Sequence, residues 1–224
     1  MTRFLSCSLA ISSFAFAPVA LAQEADEAAE TAEAAPTSKT YSVSSSDTMI
    51  YVLVKKAGLA SAVAHDHAIQ AKSVSGSMVW NSADPSATTV NISVDASSLA
   101  ADSDSMRKLA GLPDSLDADQ QAEIKDKLLA SDQLAASKYP KITFKSNKVS
   151  GTASALSVSG DFSLHGVTKP LTVTMAVTED GGKIRAKGGF SVTQSNFGYE
   201  PFSAMFGALA VEDKAEVVLD IVLK

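Results

Sequence analysis

Residues 160–173 decide the fold; they read Gly160-Asp161-Phe162-Ser163-Leu164-His165-Gly166-Val167-Thr168-Lys169-Pro170-Leu171-Thr172-Val173. On both sides of His165 apolar residues alternate with small polar ones, which is the period of a half-buried strand. The apolar residues are Leu156, Val158, Phe162 and Leu164 before it, and Leu171, Val173, Met175 and Val177 after it. Gly166 accepts a positive φ, and Pro170 is tolerated at the first residue of a strand, where no ladder donor is lost. The stretch predicts a β-hairpin with His165 at its corner.

The same alternation recurs along the chain and predicts an all-β fold. Val90, Ile92 and Val94 form one further strand, and Gly181-Gly182 is a hairpin turn signal between two others. About eight strands with even spacing predict an antiparallel, up-and-down β-barrel. A barrel of this size either holds one small ligand or is filled by its own side chains. Inward positions are apolar, so any cavity is expected to be apolar too.

Between Asp95 and Tyr139 the hydrophobic period becomes helical, which predicts a helical insertion near the middle of the barrel. Asp117 and Gln120 have the spacing of a capping box, and a helix is expected near Asp117 to Ala130. Loop carboxylates beside such helices, including Asp102, are expected to be caps or solvated charges.

The N-terminus has the pattern of a secretory signal peptide. Arg3 is followed by the uncharged apolar run from Phe4 to Ala17 and by the small-x-small site Ala20-Leu21-Ala22, so residues 1–22 are predicted to be cleaved before Gln23. Residues 23–38 are predicted to be a disordered acidic spacer, and residues 39–224 the folded domain. The protein is therefore expected to be periplasmic or secreted, without a stable membrane span after cleavage.

Charge and cysteine content narrow the function classes. The formal net charge is −6, from 19 basic and 25 acidic residues, and no basic run is present, which argues against a nucleic-acid partner. Cys7 is the only cysteine and lies in the predicted signal peptide, so the mature chain has no thiol for a disulfide, a nucleophile or a metal. Its stability must come from a packed core.

The hairpin also carries a family resemblance. It resembles the G-D-L-T-L-H-G-V-T-K-P hairpin of the YceI-like family, which consists of periplasmic, lipocalin-like proteins that bind polyisoprenoid lipids. Three more stretches fit the family in order, over roughly Lys39 to Lys224. They are Lys138-Tyr139-Pro140-Lys141-Ile142-Thr143-Phe144-Lys145-Ser146, Ser195-Asn196-Phe197-Gly198 and the closing strand from Glu212 to Leu223. One departure is Gln194, where many members carry arginine.

The resemblance implies a lipocalin-like barrel that holds a hydrophobic small-molecule lipid, such as a polyisoprenoid or an isoprenoid quinone, for storage, transport or stress protection. The side chains expected to bury the tail are Phe144, Phe162, Leu164, Phe190, Phe197, Phe202, Met205 and Phe206. Residues 196–207 either line the barrel mouth or plug one end as core. Met106, Leu109, Leu128 and Leu129 are candidates for the other lip.

The three histidines of the chain leave two functions open. In the binding hypothesis His65, His67 and His165 contact the polar head of the ligand or simply hydrogen-bond the backbone. In the alternative, the same three residues form a zinc-type site of a metal-binding protein or metal-dependent enzyme. No catalytic motif such as G-x-S-x-G, a phosphate loop or H-E-x-x-H occurs, so a non-enzymatic protein without a metal is favoured. A filled barrel that serves as an interaction module, and a homodimer, also stay open.

Overall fold

The structure, a computed structural model, describes residues 38–113 and 115–224. The predicted signal peptide and all but the last residue of the predicted acidic spacer lie outside the described residues. The strands are β1 (Lys39–Ser42), β2 (Met49–Ala57), β3 (His67–Ala71), β4 (Val74–Trp80), β5 (Thr89–Asp95), β6 (Leu99–Ala101), β7 (Lys141–Thr152), β8 (Ala155–Leu164), β9 (Val167–Asp180), β10 (Lys183–Thr193), β11 (Ser203–Ala204) and β12 (Leu209–Leu223). The helices are α1 (Asp104–Leu109) and α2 (Ala118–Leu129).

The described strands form one antiparallel sheet that curls into a barrel, which confirms the predicted fold class. In the strand order β5-β7-β8-β9-β10-β12-β2-β3, most strands that are consecutive in the sequence are also adjacent in the sheet. Strand β12 pairs with β2, and this pairing brings the end of the chain beside the first long strand. The strand count differs from the prediction: the described residues contain twelve strands instead of about eight.

The difference in count comes in equal parts from two bent strands and two short additional strands. Strands β3 and β4 are two halves of one bent strand, and β5 and β6 are two halves of its partner, because β3 pairs with β6 and β4 with β5. At the bend the Ser73 amide donates to the Ser98 hydroxyl at 3.0 Å and the Ser73 hydroxyl donates to Asp95 at 2.7 Å. When β3 with β4, and β5 with β6, are each counted as one bent strand, the ring contains eight strands in up-and-down order. Short strands β1 and β11 lie beside this ring.

The hairpin at residues 160–173 has a tighter turn than the sequence pattern predicts. Leu164 pairs with Val167, so the loop is only His165-Gly166, and both residues have positive φ, 52° and 75°. A two-residue hairpin with left-handed φ at both positions matches the twist of its strands. The prediction that Pro170 begins the second strand is wrong, because β9 begins at Val167. Pro170 is accommodated because the β9–β10 pairing extends only to Thr174, so no ladder on that side needs its missing N–H.

The helical insertion lies where it is predicted. Asp117 accepts a hydrogen bond from the Gln120 amide at 2.8 Å, and the Gln120 side chain accepts one from the Asp117 amide at 3.0 Å. This reciprocal capping box satisfies two donors at the start of α2. Over residues 38–113 and 115–224 no helix has the length and apolar character needed to cross a membrane.

The barrel interior has two different halves along the same strands. Near the β7–β8 turn, Leu156 and Val158 are 0 % exposed, as is Ile184 on β10, and we call this end the filled half. Towards the other end of β8, Phe162 and Leu164 border an internal cavity, and we call this end the cavity half. The loops that follow β2, β6, β8 and β10 all lie at the cavity end, because neighbouring strands are antiparallel.

Candidate functional site

The candidate site is an internal cavity of about 170 Å³ in the cavity half. Most strands of the ring contribute inward side chains to its wall, as the alternation predicts. Among the described residues, Thr143, Gln194 and Tyr199 are the only polar ones in this wall, and none of those that line it is charged. A space of this kind stays dry and accepts apolar groups, as an engineered cavity of about 150 Å³ accepts benzene.

Four of the predicted ligand contacts lie on the cavity wall. They are Phe144, Phe162, Leu164 and Phe190. The pairing of β7 with β8 places Phe144 opposite Phe162, and the rings of Phe162 and Phe190 meet edge to face with centroids 5.6 Å apart. Edge-to-face contact holds the two rings in place across β9, which lies between β8 and β10. The aromatic part of the wall is thus one packed surface rather than a set of independent side chains.

Phe197 supports this surface without forming part of the wall. It lies in a 3₁₀ turn at residues 194–197 that directly follows β10, and it is 6 % exposed. Its ring meets Phe162 edge to face at 5.5 Å. Of the predicted loop aromatics, Phe197 is the one that is fully buried. For Phe197, contact with a ligand stays a prediction.

The polar part of the wall is a pair of residues, Gln194 and Tyr199. The Gln194 side-chain amide donates to the Glu212 carbonyl at 2.8 Å and accepts from the Tyr199 hydroxyl at 3.3 Å. Burial, and secondarily the negative charge of Asp213, raises the pKa of the Tyr199 hydroxyl. Tyr199 therefore stays a neutral hydroxyl at every physiological pH, and its oxygen can hydrogen-bond a polar group of a ligand.

His165 lies behind this polar pair. Its Nδ1 donates to the Phe197 carbonyl at 3.0 Å, which leaves Nε2 as an acceptor in the neutral ring. Its ring packs edge to face between Tyr139 at 4.8 Å and Tyr199 at 5.2 Å. A Cβ on Gly166 would lie 2.3 Å from the Tyr139 ring, so only glycine fits beside it. The hairpin corner therefore positions Tyr199 at the wall through His165.

The cavity is covered by the end of α2 and the turn after it. Leu128 and Leu134 line the wall from this side, and the Leu134 amide donates to the Leu128 carbonyl at 3.1 Å. The cover is tied to the loop after β10 by Gln133, whose side chain donates to the Glu200 carbonyl at 3.2 Å. No residue of α2 is fully buried. Among the predicted lip residues Leu128 therefore lies on the wall, whereas Leu109 is 57 % exposed.

His67 belongs to a different, charged cluster at the cavity end. The carboxylate of Asp102 is 0 % exposed and accepts from His67 Nδ1 at 2.7 Å, from Arg107 at 2.8 Å and from the Ala68 amide at 2.9 Å. Arg107 also donates to the Asp66 carbonyl at 2.8 Å. Burial alone would raise the pKa of the Asp102 carboxyl, but the hydrogen bonds from His67, Ala68 and Arg107 hold it below its usual range.

The charged cluster gives no support to the metal hypothesis. His67 is bound to Asp102, and His165 is bound to the Phe197 carbonyl. Within the part of the chain that the structure describes, no group of three or more His, Cys, Asp or Glu side chains is placed to hold a metal ion. The three histidines therefore do not meet at one centre.

The remaining predicted contacts lie off the cavity wall. His65 is half-buried in the loop after β2, and Phe202 is half-buried beneath Lys127, whose Nζ lies 5.8 Å from the ring centroid. Met205 is 72 % exposed and Phe206 is fully exposed. Ligand contact by these four residues and by His67 stays a prediction.

Two features of this end of the barrel do not follow from the sequence pattern. The prediction that Asp102 is a cap or a solvated charge is wrong, because Asp102 is the buried centre of a cluster. The one hint of this role in the sequence is that Arg107, a residue of opposite charge, follows Asp102 by five positions. Tyr199 lies in a loop whose sequence is largely apolar, and no local pattern indicates that its hydroxyl belongs to the cavity wall.

Comparison with known proteins supports the resemblance. The family model described as YceI-like domain matches residues 41–223. The structure is similar to that of BcnA from Burkholderia cenocepacia, with a TM-score of 0.62 and 17 % identity over 80 % of this chain and 98 % of that one. It is also similar to the YceI protein of Campylobacter jejuni, with a TM-score of 0.51 and 15 % identity over 69 % of this chain and 82 % of that one. A mutant of the CJ YCEI protein that contains a monobromobimane guest gives a TM-score of 0.53 at 14 % identity, over the same shares of the two chains. At these identities the structural likeness concerns the fold, and no curated protein matches the chain.

Proposed function

Since this chain belongs to the YceI-like family, we propose that it binds an amphiphilic lipid of the polyisoprenoid or isoprenoid-quinone class and holds the hydrocarbon tail inside the barrel. At the level of the family, the domain is a barrel-fold lipid-binding domain. The observation that carries the proposal is the uncharged, almost wholly apolar wall of the internal cavity. Such a wall stabilises a hydrocarbon by about 0.8 kcal/mol for each methylene that leaves water.

The size of the cavity defines how the tail enters. At about 170 Å³ the cavity accepts an apolar group of roughly the size of benzene, whereas drug-sized ligands occupy pockets of about 300–1,000 Å³. A tail of several prenyl units therefore requires the cover to move outward. Within the cover, α2 costs least to displace, because it has no fully buried residue, whereas the strands are held by ladders on both sides.

The orientation of the ligand follows from the polar pair. We assign the tail to Phe144, Phe162, Leu164 and Phe190, and the polar head to the region of Gln194 and Tyr199. A hydroxyl or carbonyl group on the ligand would meet the neutral Tyr199 hydroxyl, and His165 would act by holding the Tyr199 ring. Gln194 fills the position that is arginine in many relatives, so this wall favours an uncharged head over an anionic one.

The proposed role is binding without turnover. YceI-like proteins are typically periplasmic, and we propose the same location for this chain on the strength of the predicted signal peptide. Storage, transport or protection of the lipid each requires only reversible burial of the tail.

The test is a direct search for the ligand. The protein is isolated from the periplasmic fraction of a bacterial host, and native mass spectrometry is followed by organic extraction and metal analysis of the same sample. A non-covalent hydrocarbon of isoprenoid mass is the expected result. Absence of any bound hydrocarbon, or stoichiometric metal in its place, would contradict the proposal.

A matched pair of alanine replacements connects the ligand with the cavity. Ala215 lines the wall on β12, whereas Ala186 is equally buried on the neighbouring β10 but lies outside the wall. Ala215→Leu fills the cavity and is expected to lose the hydrocarbon. Ala186→Leu introduces the same overpacking and is expected to keep it. Equal ligand loads in the two variants would mean that the tail is bound elsewhere.

A further inference from the structure

The loops after β2 and before β12 form an exposed apolar surface at the cavity end of the barrel. It consists of Leu59, Val63, Met205 and Phe206, which are 99 %, 77 %, 72 % and 112 % exposed. We call these four residues the apolar tip. Only one other large hydrophobic side chain, Leu109 on α1, is exposed in the described residues. Clustered exposed apolar side chains mark a site of interaction with a protein or a membrane.

The two loops form one unit because their backbones are in contact. The Ala60 amide donates to the Ala208 carbonyl at 2.7 Å, and a Cβ on Gly58 would lie 2.4 Å from the same carbonyl oxygen. Gly58 therefore allows an approach that no other residue would permit. The four exposed side chains thus belong to one small, fixed area rather than to two independent loops.

The backbone of the second loop is held in an unusual conformation. Met205, Phe206 and Gly207 have successive positive φ values of 51°, 56° and 85°. Left-handed residues other than glycine cost about 1–2 kcal/mol each, and Met and Phe gain no burial here in return. Such strain at a surface loop is explained when the exposed side chains have a partner outside the chain.

The tip has the composition of a surface that enters lipid. Residues 57–64 read AGLASAVA and residues 201–211 read PFSAMFGALAV, so neither segment carries a charged side chain. Backbone groups within the tip bond each other: the Val63 amide donates to Ala60 at 3.1 Å and the Ala208 amide to Met205 at 3.2 Å. Backbone hydrogen bonds within the loop and the lack of charged side chains both lower the cost of placing a loop in the membrane interface.

A second copy of the chain is a poorer occupant. Four side chains expose on the order of a few hundred Å² together, whereas a stable interface buries about 800 Å² on each partner. A bilayer needs no complementary shape and accepts a tip of this size. The charges around the tip are of both signs, with Lys56 and Asp66 on one loop and Glu200 and Glu212 beside the other, so they select no anionic partner.

We propose that the apolar tip inserts into the interface of a lipid bilayer and docks the cavity end of the barrel on the membrane. The register places the tip correctly for this role. Val54 and Ala215 pair and line the cavity, and β2 ends three residues later at Ala57, which pairs with Ala210 beside the tip. A docked barrel would receive or deliver its ligand without exposing the tail to water. Docking goes beyond the proposed function, because the tip contacts lipid whether or not the cavity is loaded.

The depth of the tip in a bilayer is measured with a tryptophan reporter. Phe206→Trp places the reporter in the tip, and Ser154→Trp places it in the exposed β7–β8 turn at the opposite end. Trp80 is 4 % exposed in the filled half and gives the same background in both proteins. With vesicles of brominated phosphatidylcholine, the Phe206→Trp emission is expected to move to shorter wavelength and to be quenched. The Ser154→Trp emission is expected to stay unchanged, and an equal response of both reporters would overturn the proposal.

The affinity for plain phosphatidylcholine vesicles gives a second readout. Asparagine tolerates a left-handed backbone, so Met205→Asn and Phe206→Asn remove the apolar side chains without disturbing the loop. Each replacement is expected to lower vesicle partitioning about tenfold. The remaining binding should depend little on salt, since the contact is apolar. If the double variant bound to vesicles as strongly as the wild-type protein, the proposal would be wrong.

Self-association is the remaining outcome to separate. If the Phe206→Trp emission shifts with protein concentration in the absence of vesicles, and sedimentation gives the mass of a dimer, the tip joins two copies and the membrane proposal is wrong. None of these readouts depends on the occupancy of the cavity. The docking proposal and the lipid-binding proposal can therefore fail separately.

Discussion

The two halves of the barrel use the same strands and nearly the same residue types, yet one is solid and the other hollow. On β8, Leu156 and Leu164 both point inward, but Leu156 is 0 % exposed within packed neighbours, whereas Leu164 borders the cavity. The difference lies in what meets these side chains across the barrel. The cavity half is bordered by the charged cluster, the hairpin corner and the end of α2, whereas the filled half is occupied by its own side chains.

The largest expected effect compares the two leucines directly. Leu156→Ala removes a fully buried side chain that does not border the cavity, and we expect the free energy of unfolding to fall by about 4 kcal/mol. Leu164→Ala should lower it by only about 2 kcal/mol, because part of its surface already faces empty space and has few contacts to lose. Urea unfolding of both variants measures the difference. Equal losses would show that the cavity half is packed as tightly as the filled half.

The next effect concerns the charged cluster that holds the cavity end. Asp102→Asn removes the buried negative charge that accepts from Arg107, His67 and the Ala68 amide, and we expect a loss of about 3 kcal/mol in the free energy of unfolding. Asp220→Asn is the control, because it breaks an exposed pair with Arg185 and should lower stability by at most about 1 kcal/mol. Ligand load is expected to be unchanged, since Asp102 is not part of the wall. A loss at Asp102 no larger than at Asp220 would contradict the structural role.

The same carboxylate predicts a pH dependence with a definite sign. The pKa of Asp102 is lower in the folded chain than its ordinary value of about 3.9, so its contribution to stability is complete above that value and is lost as the pH falls through the folded pKa. The wild-type chain should therefore lose stability in acid more steeply than Asp102→Asn. Parallel acid profiles for the two proteins would exclude this contribution.

Much of the fold, but little of the difference between its halves, could be predicted from the sequence. Local alternation determines which side of a strand faces inward, and the capping box at Asp117 determines where α2 begins. Whether the interior is filled or hollow depends on side chains from distant strands that meet across the ring. No local sequence pattern contains this information. The burial of Asp102 likewise depends on His67, 35 residues earlier, and the loop that carries Met205 and Phe206 contacts Gly58, which is far away in the sequence.

A smaller effect tests the turn that positions the polar pair. Gly166→Ala forces a side chain onto a φ of 75° and into the Tyr139 ring, and should lower the free energy of unfolding by about 2 kcal/mol. Gly181→Ala is the matched control, since Gly181 has a φ of 55° but no atom near its added Cβ, and it isolates the backbone contribution of about 1 kcal/mol. If both glycines gave the same loss, the contact with Tyr139 would have no role in shaping the hairpin corner.

The smallest expected effect distinguishes the contribution of the polar pair to ligand binding from that of the apolar wall. Tyr199→Phe removes a hydroxyl whose 3.3 Å bond to Gln194 is long, so the free energy of unfolding should fall by less than about 1 kcal/mol. Tyr139→Phe is the control, because Tyr139 packs on the other side of His165 and does not line the wall. We expect Tyr199→Phe alone to weaken retention of an isoprenoid with a hydroxyl head group by about fivefold, while retention of the matching hydrocarbon without a head stays equal in both variants. If Tyr199→Phe retained the isoprenoid with the hydroxyl head group as well as Tyr139→Phe does, the head group would not reach this wall, and the cavity half would then select its ligand by the tail alone.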